Sequence, residues 1–269
     1  MTDVRTFCRV CEPACGLVAT VAGGELTAVR PDRLHPVSQG WACNKGIATL
    51  DVHRDPDRLS HPLRRGAGGF ERASWDTALA EIADRLRMLK ARHGEWSTAV
   101  YLGNPTAFNA LVPVGLTPFL QGLQTRQIYS AGTQDCSNKF AASEYVFGSS
   151  TLHPVPDFAH TNYLLILGSN PGVSHMSFIS VAEPIAVLRA IEQRGGKVRF
   201  VNPRRIESVQ SGVGELLQIR PDTDVYFLAA LLHELDRIGG FDEAVLAAHG
   251  KSVEGLRAFL ANYPPERVA

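Results

Sequence analysis

Four cysteines crowd into the first 43 residues in the spacing C-x2-C-x3-C-x27-C (Cys8, Cys11, Cys15 and Cys43), and a fifth, Cys136, stands alone. Three thiols within eight residues are too close for an ordinary disulfide framework, but they suit one face of a compact inorganic cluster. Structural zinc more often draws on two separated C-x2-C knuckles. Here three ligands are contiguous and the fourth comes singly from a distant loop. Four thiolates can each bind one iron corner of a cubane, so a 4Fe–4S cluster is the preferred reading. Zinc and unliganded structural cysteines are the alternatives. The opening MTDVRTFCRVCEP has neither an apolar signal region nor a twin-arginine pair, so the expectation is a cytoplasmic chain. In a reducing cytosol, clustered thiols usually mean metal.

Between the third and fourth cysteines, GLVATVAGGELTAVRPD alternates Leu17, Ala19 and Val21 with Leu26 and Ala28 around Gly23–Gly24. That pattern predicts a hairpin able to carry Cys43 back beside the other three. Lys45 follows two residues later. It is placed either to tune the cluster or bridge it to a second redox group, or to be solvated at the surface.

The length of 269 residues allows one large or two ordinary domains. The 27 basic and 27 acidic side chains cancel, which argues against a nucleic-acid partner held by charge. No apolar run is long enough to insert in a membrane. Residues 51–73, rich in Pro, Gly and charge, read as an extended connection. Ser74 reads as a helix N-cap before the periodic Leu79, Ile82, Leu86 and Leu89, and Gly94 closes that helix. Strands are expected at Thr98–Leu102 and near Gln127–Ser130, with a helical stretch around 106–123 between them. From Tyr163 the alternation sharpens: strand YLLIL, helix PIAVLRAIEQR, strand KVRFV, strand LLQIR and helix VYFLAALLHEL.

Strands alternating with helices over short loops predict an α/β fold, a mostly parallel sheet covered by helices. Ligands of such sheets gather beyond the strands' carboxyl ends. There lie Gly168-Ser169-Asn170, Asn202-Pro203-Arg204-Arg205 and Arg220-Pro221-Asp222-Thr223-Asp224. A turn before a helix can receive phosphate, an arginine can clamp it, and an aspartate can accept from a guanine edge. No P-loop or full G-x-G-x-x-G is present. Cys136 lies in the polar stretch SAGTQDCSNKFAAS before an expected helix, where a helix N-terminus lowers a thiol pKa and favours metal ligation. Its other reading is a small buried core residue. The nine histidines show no HxH or HExxH spacing.

Together these residues resemble the molybdenum- or tungsten-dependent molybdopterin guanine dinucleotide oxidoreductases, which include formate dehydrogenases and nitrate reductases. The resemblance is carried by the four cysteines with Lys45-Gly46, by HRDPDRLSHPLRR and by SWDTAL. It continues through LGSNP at 167–171, VNPRRIES at 201–208 and IRPDTD at 219–224. It implies that Cys8, Cys11, Cys15 and Cys43 hold a 4Fe–4S cluster and that Lys45 lies between cluster and pterin. It implies that Cys136 is the protein ligand to molybdenum or tungsten, and that Gly168, Ser169, Asn170, Arg204 and Asp224 line one arm of a bis-molybdopterin guanine dinucleotide cofactor. The implied activity is two-electron redox on a small substrate such as formate or nitrate, with single electrons passing to a partner protein or subunit. A non-catalytic iron–sulfur relay and a zinc-stapled α/β binding protein are the competing readings.

The chain departs from the family pattern at several positions. Ser137 follows Cys136 where formate dehydrogenases commonly have His and nitrate reductases often have Met, which leaves Asp135 as a second candidate ligand. Asn202 stands where the family often has Asp, and Asp222 where it often has Gly. The chain stops at NYPPERVA, a point well inside family sequences, so the expectation is an N-terminal portion. Three parts are expected: a cluster domain at 1–60, the first part of an α/β molybdopterin-binding domain at 61–135, and a Rossmann-like cofactor-binding domain at 136–269.

Overall fold

Gly23 and Gly24 adopt φ of 60° and 86°, the left-handed pair that a tight two-residue hairpin turn favours. They sit inside a three-stranded antiparallel sheet ordered β1 (Thr2–Phe7), β2 (Gly16–Ala22) and β3 (Glu25–Pro31). β2 and β3 are the two strands of the hairpin expected around this turn. β1 was missed because all six of its residues are exposed, so no apolar alternation marks it.

The computed structural model describes residues 1–269 as two units. The first comprises Met1–Pro156 with Met176–Glu183. After the β1–β3 sheet come the short helices α1 (Asn44–Ile47) and α2 (Thr49–Arg54). The expected extended connection at 51–73 is a misreading. Its start completes α2, and β4 (Leu63–Gly66) pairs antiparallel with β5 (Gly69–Arg72). Every residue of that hairpin is exposed, and charge at its solvated positions hid the strand pattern.

Helix α3 (Trp75–His93) begins as expected, with the Ser74 hydroxyl accepting from the Thr77 N–H at 3.1 Å. β6 (Val100–Leu102) then pairs in parallel with β7 (Ile128–Ser130) across α4 (Val112–Leu123). The helical stretch expected from 106 is split, with a 3-10 turn at Asn104–Phe108 preceding α4. α5 (Gly132–Asp135) and α6 (Ser137–Phe147) complete the unit.

The second unit comprises Asp157–His175 with Pro184–Ala269. Its parallel sheet has the order β10-β9-β8, from β8 (Tyr163–Leu167), β9 (Lys197–Asn202) and β10 (Glu215–Gln218). Helices α7 (Pro171–Ser174), α8 (Pro184–Gln193), α9 (Glu207–Gln210) and α10 (Asp224–Arg237) alternate with these strands. α11 (Glu243–His249), α12 (Val253–Leu260) and α13 (Pro265–Val268) follow. The central strand is buried on both faces, as parallel strands are. Val198, Phe200 and Val201 have no exposed surface, and neither do Leu188 and Ile191 of α8. Gly214 (φ 72°) closes this core, because a Cβ there would stand 2.5 Å from the Phe200 ring. The α/β class with a small cysteine-bearing sheet is therefore present, and no helix is long and apolar enough to cross a membrane.

Candidate cluster and cofactor site

The pairing of β1 with β2 ends at Phe7 opposite Gly16. That register sets Cys8 and Cys15 side by side, and the Cys8 N–H donates to the Cys15 carbonyl at 2.8 Å. Cys11 lies in the turn between them, its carbonyl accepting from Ala14 N–H at 3.3 Å. The chain from β3 back to Cys43 is a hydrogen-bonded turn. Gly40 N–H donates to Asp32 O, Trp41 N–H donates to Ser38 O, and the fully buried Ser38 hydroxyl accepts from Gly16 N–H at 3.0 Å. Cys43 then caps α1, which carries Lys45 and Gly46.

Cys8 and Cys15 are buried with Leu17 and Met176, against Val29, Trp41, Ala42 and Ile47. Burial pushes the Cys11 thiol up to about 11, with further upward contributions from Glu12, Cys15 and Cys8, while Lys45 pulls it down. The Cys15 thiol is likewise raised, first by burial and then by Cys8 and Cys43. Cys11 thus lies in the fields of Cys8, Cys15 and Lys45, and Cys15 in those of Cys8 and Cys43. Four thiolates gathered in a half-dry site repel one another, and a bound cationic metal core removes that penalty by holding them deprotonated. Space is kept for such a group, since a Cβ on Gly46 would stand 3.3 Å from Cys8 Sγ. No three His, Cys, Asp or Glu side chains close to the spacing of a single chelated ion. A cubane offers four separate corners, so its ligands stand farther apart than those of one ion. The residues fit such a cluster.

Cys136 is half-buried between α5 and α6, its N–H donating to Gly132 O at 3.0 Å. The expectation of a thiol lowered by a helix N-terminus is corrected. Its pKa is raised, chiefly by burial, then by the charge of Asp135 and a hydrogen bond to it, against a smaller lowering by Lys139. Cys136 closes α5 as well as opening α6, and the negative end of the one opposes the positive end of the other. Glu12, in the cysteine turn, also acts on this thiol.

In the second unit the three parallel strands end on one edge. Gly168 N–H donates to Val201 O at 2.9 Å, and Ser169 and Asn170 lead into α7. The Asn170 amide donates to Glu207, while its Oδ1 accepts from the Ser208 N–H at 3.2 Å and hydroxyl at 2.9 Å. Arg204 forks onto the same Glu207 at 3.3 and 2.9 Å. That guanidinium, with a backbone N–H and Asn170, holds the Glu207 carboxyl down at about 2. Asp224 begins α10 beyond β10 on the same edge, and no hydrogen bond joins it to the Asn170–Glu207–Arg204 group. Glu207 and Ser208 organise this edge and were not singled out from the sequence. Their signal was the acidic residue three positions after Arg204, the i,i+3 spacing of a helix-start ion pair.

The family model for molybdopterin oxidoreductases matches residues 58–255, and the model for the Fe4S4 domain of the same enzymes matches residues 1–53. The chain belongs to the molybdopterin oxidoreductase family. Within it, the chain is 30% identical to a periplasmic nitrate reductase from Desulfovibrio desulfuricans, aligning over 99% of its own length and 36% of that protein's. It is 27% identical to the alpha subunit of a formate dehydrogenase from Methanocaldococcus jannaschii, over 98% of this chain and 37% of the relative. Acetylene hydratase from Pelobacter acetylenicus shares the fold at a TM-score of 0.74 and 24% identity, covering 98% of this chain and 36% of that one. The chain thus spans somewhat over a third of the length of these relatives. The family's cofactors are a 4Fe–4S cluster and a molybdenum- or tungsten-bound molybdopterin, and the Fe4S4 match falls on the cysteine-bearing sheet.

Proposed function

We propose that the chain forms part of the catalytic subunit of a formate dehydrogenase-like or nitrate reductase-like enzyme. When bound, the pterin-held metal would exchange two electrons with a small-molecule substrate, and the cluster would carry them singly to or from an electron-transfer protein or subunit. In this reading Cys8, Cys11, Cys15 and Cys43 hold the cluster, and Lys45, inside the field of Cys11, supplies a fixed positive charge between it and the pterin. Cys136 is the soft protein ligand suited to molybdenum or tungsten. Gly168, Ser169, Asn170, Arg204 and Asp224 receive one guanine dinucleotide arm at the sheet edge. The domain division at 1–60, 61–135 and 136–269 belongs to the same reading. So does the cytoplasm, which five free cysteines favour.

The observation that carries the proposal is that the Glu12 carboxylate of the cysteine turn accepts from the Phe178 N–H at 2.5 Å, while Lys139, three residues from Cys136, sits 4.1 Å from the centre of the Phe178 ring. The start of the helix after Cys136 is therefore linked through Phe178 to the cysteine turn. A relay that keeps only its cluster has no use for that placement.

The test is made in the full-length protein, purified anaerobically with metal analysis. Cys136→Ala should lose turnover by about a thousandfold or more while keeping iron and sulfide, as expected for loss of a group that holds the reacting centre. Cys43→Ser should lose the cluster. Unchanged turnover in Cys136→Ala would refute the ligand role, and zinc in place of iron would refute the redox reading.

A further inference from the structure

Residues Met176–Glu183 cross the first unit with no regular structure, yet three of them (Phe178, Ser180 and Glu183) hold φ of 58°, 55° and 48°. Such conformations persist in non-glycine residues only where the surroundings fix them. Met176 is 1% exposed, and its Sδ stands 3.5 Å from Cys15 Sγ. The next two residues are tied to the cysteine turn. The Glu12 carboxylate accepts from the Ser177 hydroxyl at 2.9 and 3.2 Å and from the Phe178 N–H at 2.5 Å. On the other side, the Lys139 ammonium sits 4.1 Å from the centre of the Phe178 ring, three residues along α6 from Cys136.

We infer that Met176–Phe178 is a strap that seals the Cys15 edge of the cluster from water, latched by Glu12 and tied through Lys139 to the helix beginning beside Cys136. The inference rests on the assignment of the four cysteines to a cluster. A thioether packed on a ligand sulfur excludes solvent there, and solvent exposure and hydrogen bonding at the sulfurs tune a cluster's potential and persistence. Glu12 and Lys139 are positioning residues that act through the strap. Glu12 holds two backbone-adjacent donors that would otherwise release Met176, and Lys139 fixes the ring between them by cation–π attraction.

Two readouts on full-length holoprotein test the strap: the rate at which a ferrous-iron chelator bleaches cluster absorption, and the midpoint potential from an EPR titration. Glu12→Gln drops the charge but keeps an acceptor oxygen, whereas Glu12→Ala drops both. Glu12→Ala should bleach about tenfold faster, equivalent to ~1.4 kcal/mol of opening. Ser177→Ala should move the same way by a smaller factor without touching the cysteine turn, and Glu12→Gln should remain within about threefold of the native rate. Lys139→Met added to Glu12→Ala should give less than the product of the two single effects, because both act on one strap. If Glu12→Ala and Glu12→Gln shift the potential equally and neither bleaches faster, Glu12 acts only as a charge. That result overturns the strap while the cluster assignment stands. Native protein without iron and sulfide, or Cys43→Ser with a full cluster, overturns the assignment and the strap with it.

Discussion

In β9, Val198, Phe200 and Val201 are wholly buried, whereas in β1 every residue from Thr2 to Phe7 is exposed. The second unit draws its core from its strands and helices, with Leu188, Ile191, Ile206, Val213 and Phe200 each at 1% exposure or less. Each such side chain contributes roughly 1.5–3 kcal/mol by leaving water. Around the cysteines the buried apolar residues are few, and two of them are Cys8 and Cys15 themselves. α3 and α4 of the same unit bury no residue at all. The difference predicts that one sheet is held by packing, while the other, like small domains generally, draws its stability from a ligand that joins its loops.

Removing iron breaks this comparison most strongly if it is wrong. Anaerobic chelation of the full-length holoprotein should lower amide-exchange protection from Cys8 to Ile47 on the order of a hundredfold or more. Protection of Lys197–Asn202 should stay unchanged. Equal protection with and without iron would show that the cysteine sheet stands on its own packing. Phe200→Ala should do the converse, costing about 3–5 kcal/mol of stability in denaturant unfolding of the second unit while iron content is retained. Gly214→Ala should cost about 1–3 kcal/mol, because its Cβ would meet the Phe200 ring and its φ of 72° disfavours a side chain. A cost near zero for both would mean that Phe200 is not the keystone of that core.

The same contrast explains which features were legible in the sequence. β9 announced itself through an apolar run because burial on both faces leaves a dense pattern, and α8 through the helical spacing of its buried Leu188 and Ile191. The Gly23–Gly24 turn was legible because few residues other than glycine take that φ. β1, β4 and β5 were silent because their side chains face solvent and carry no alternation. At the candidate site, the cysteine spacing was informative because metal chemistry restricts residue type so narrowly. Glu12 and Met176 were invisible, since their importance lies in contacts such as Glu12 with Phe178, which lie 166 positions apart. The state of the Cys136 thiol could not be read either, because its burial and the placement of Asp135 decide it.

The smallest effect concerns the sheet edge, where Arg204 is already occupied. With both guanidinium nitrogens on Glu207, an incoming phosphate must displace a carboxylate held at about 2 instead of its ordinary 4.5. A depressed carboxyl pKa stabilises the folded state above the unfolded value of 4.5, and that contribution fades as pH falls toward about 2. The Glu207 side chain is 44% exposed, so salt screens the pair and the change is modest. Glu207→Gln should therefore flatten the pH dependence of unfolding between about 4.5 and about 2. It should also free Arg204 to bind pyrophosphate more tightly at neutral pH. An unchanged acid limb would mean that the ion pair contributes nothing to folding. Unchanged anion affinity would mean that Arg204 is no phosphate clamp, leaving the edge to Asn170 and the backbone of the Gly168–Asn170 turn.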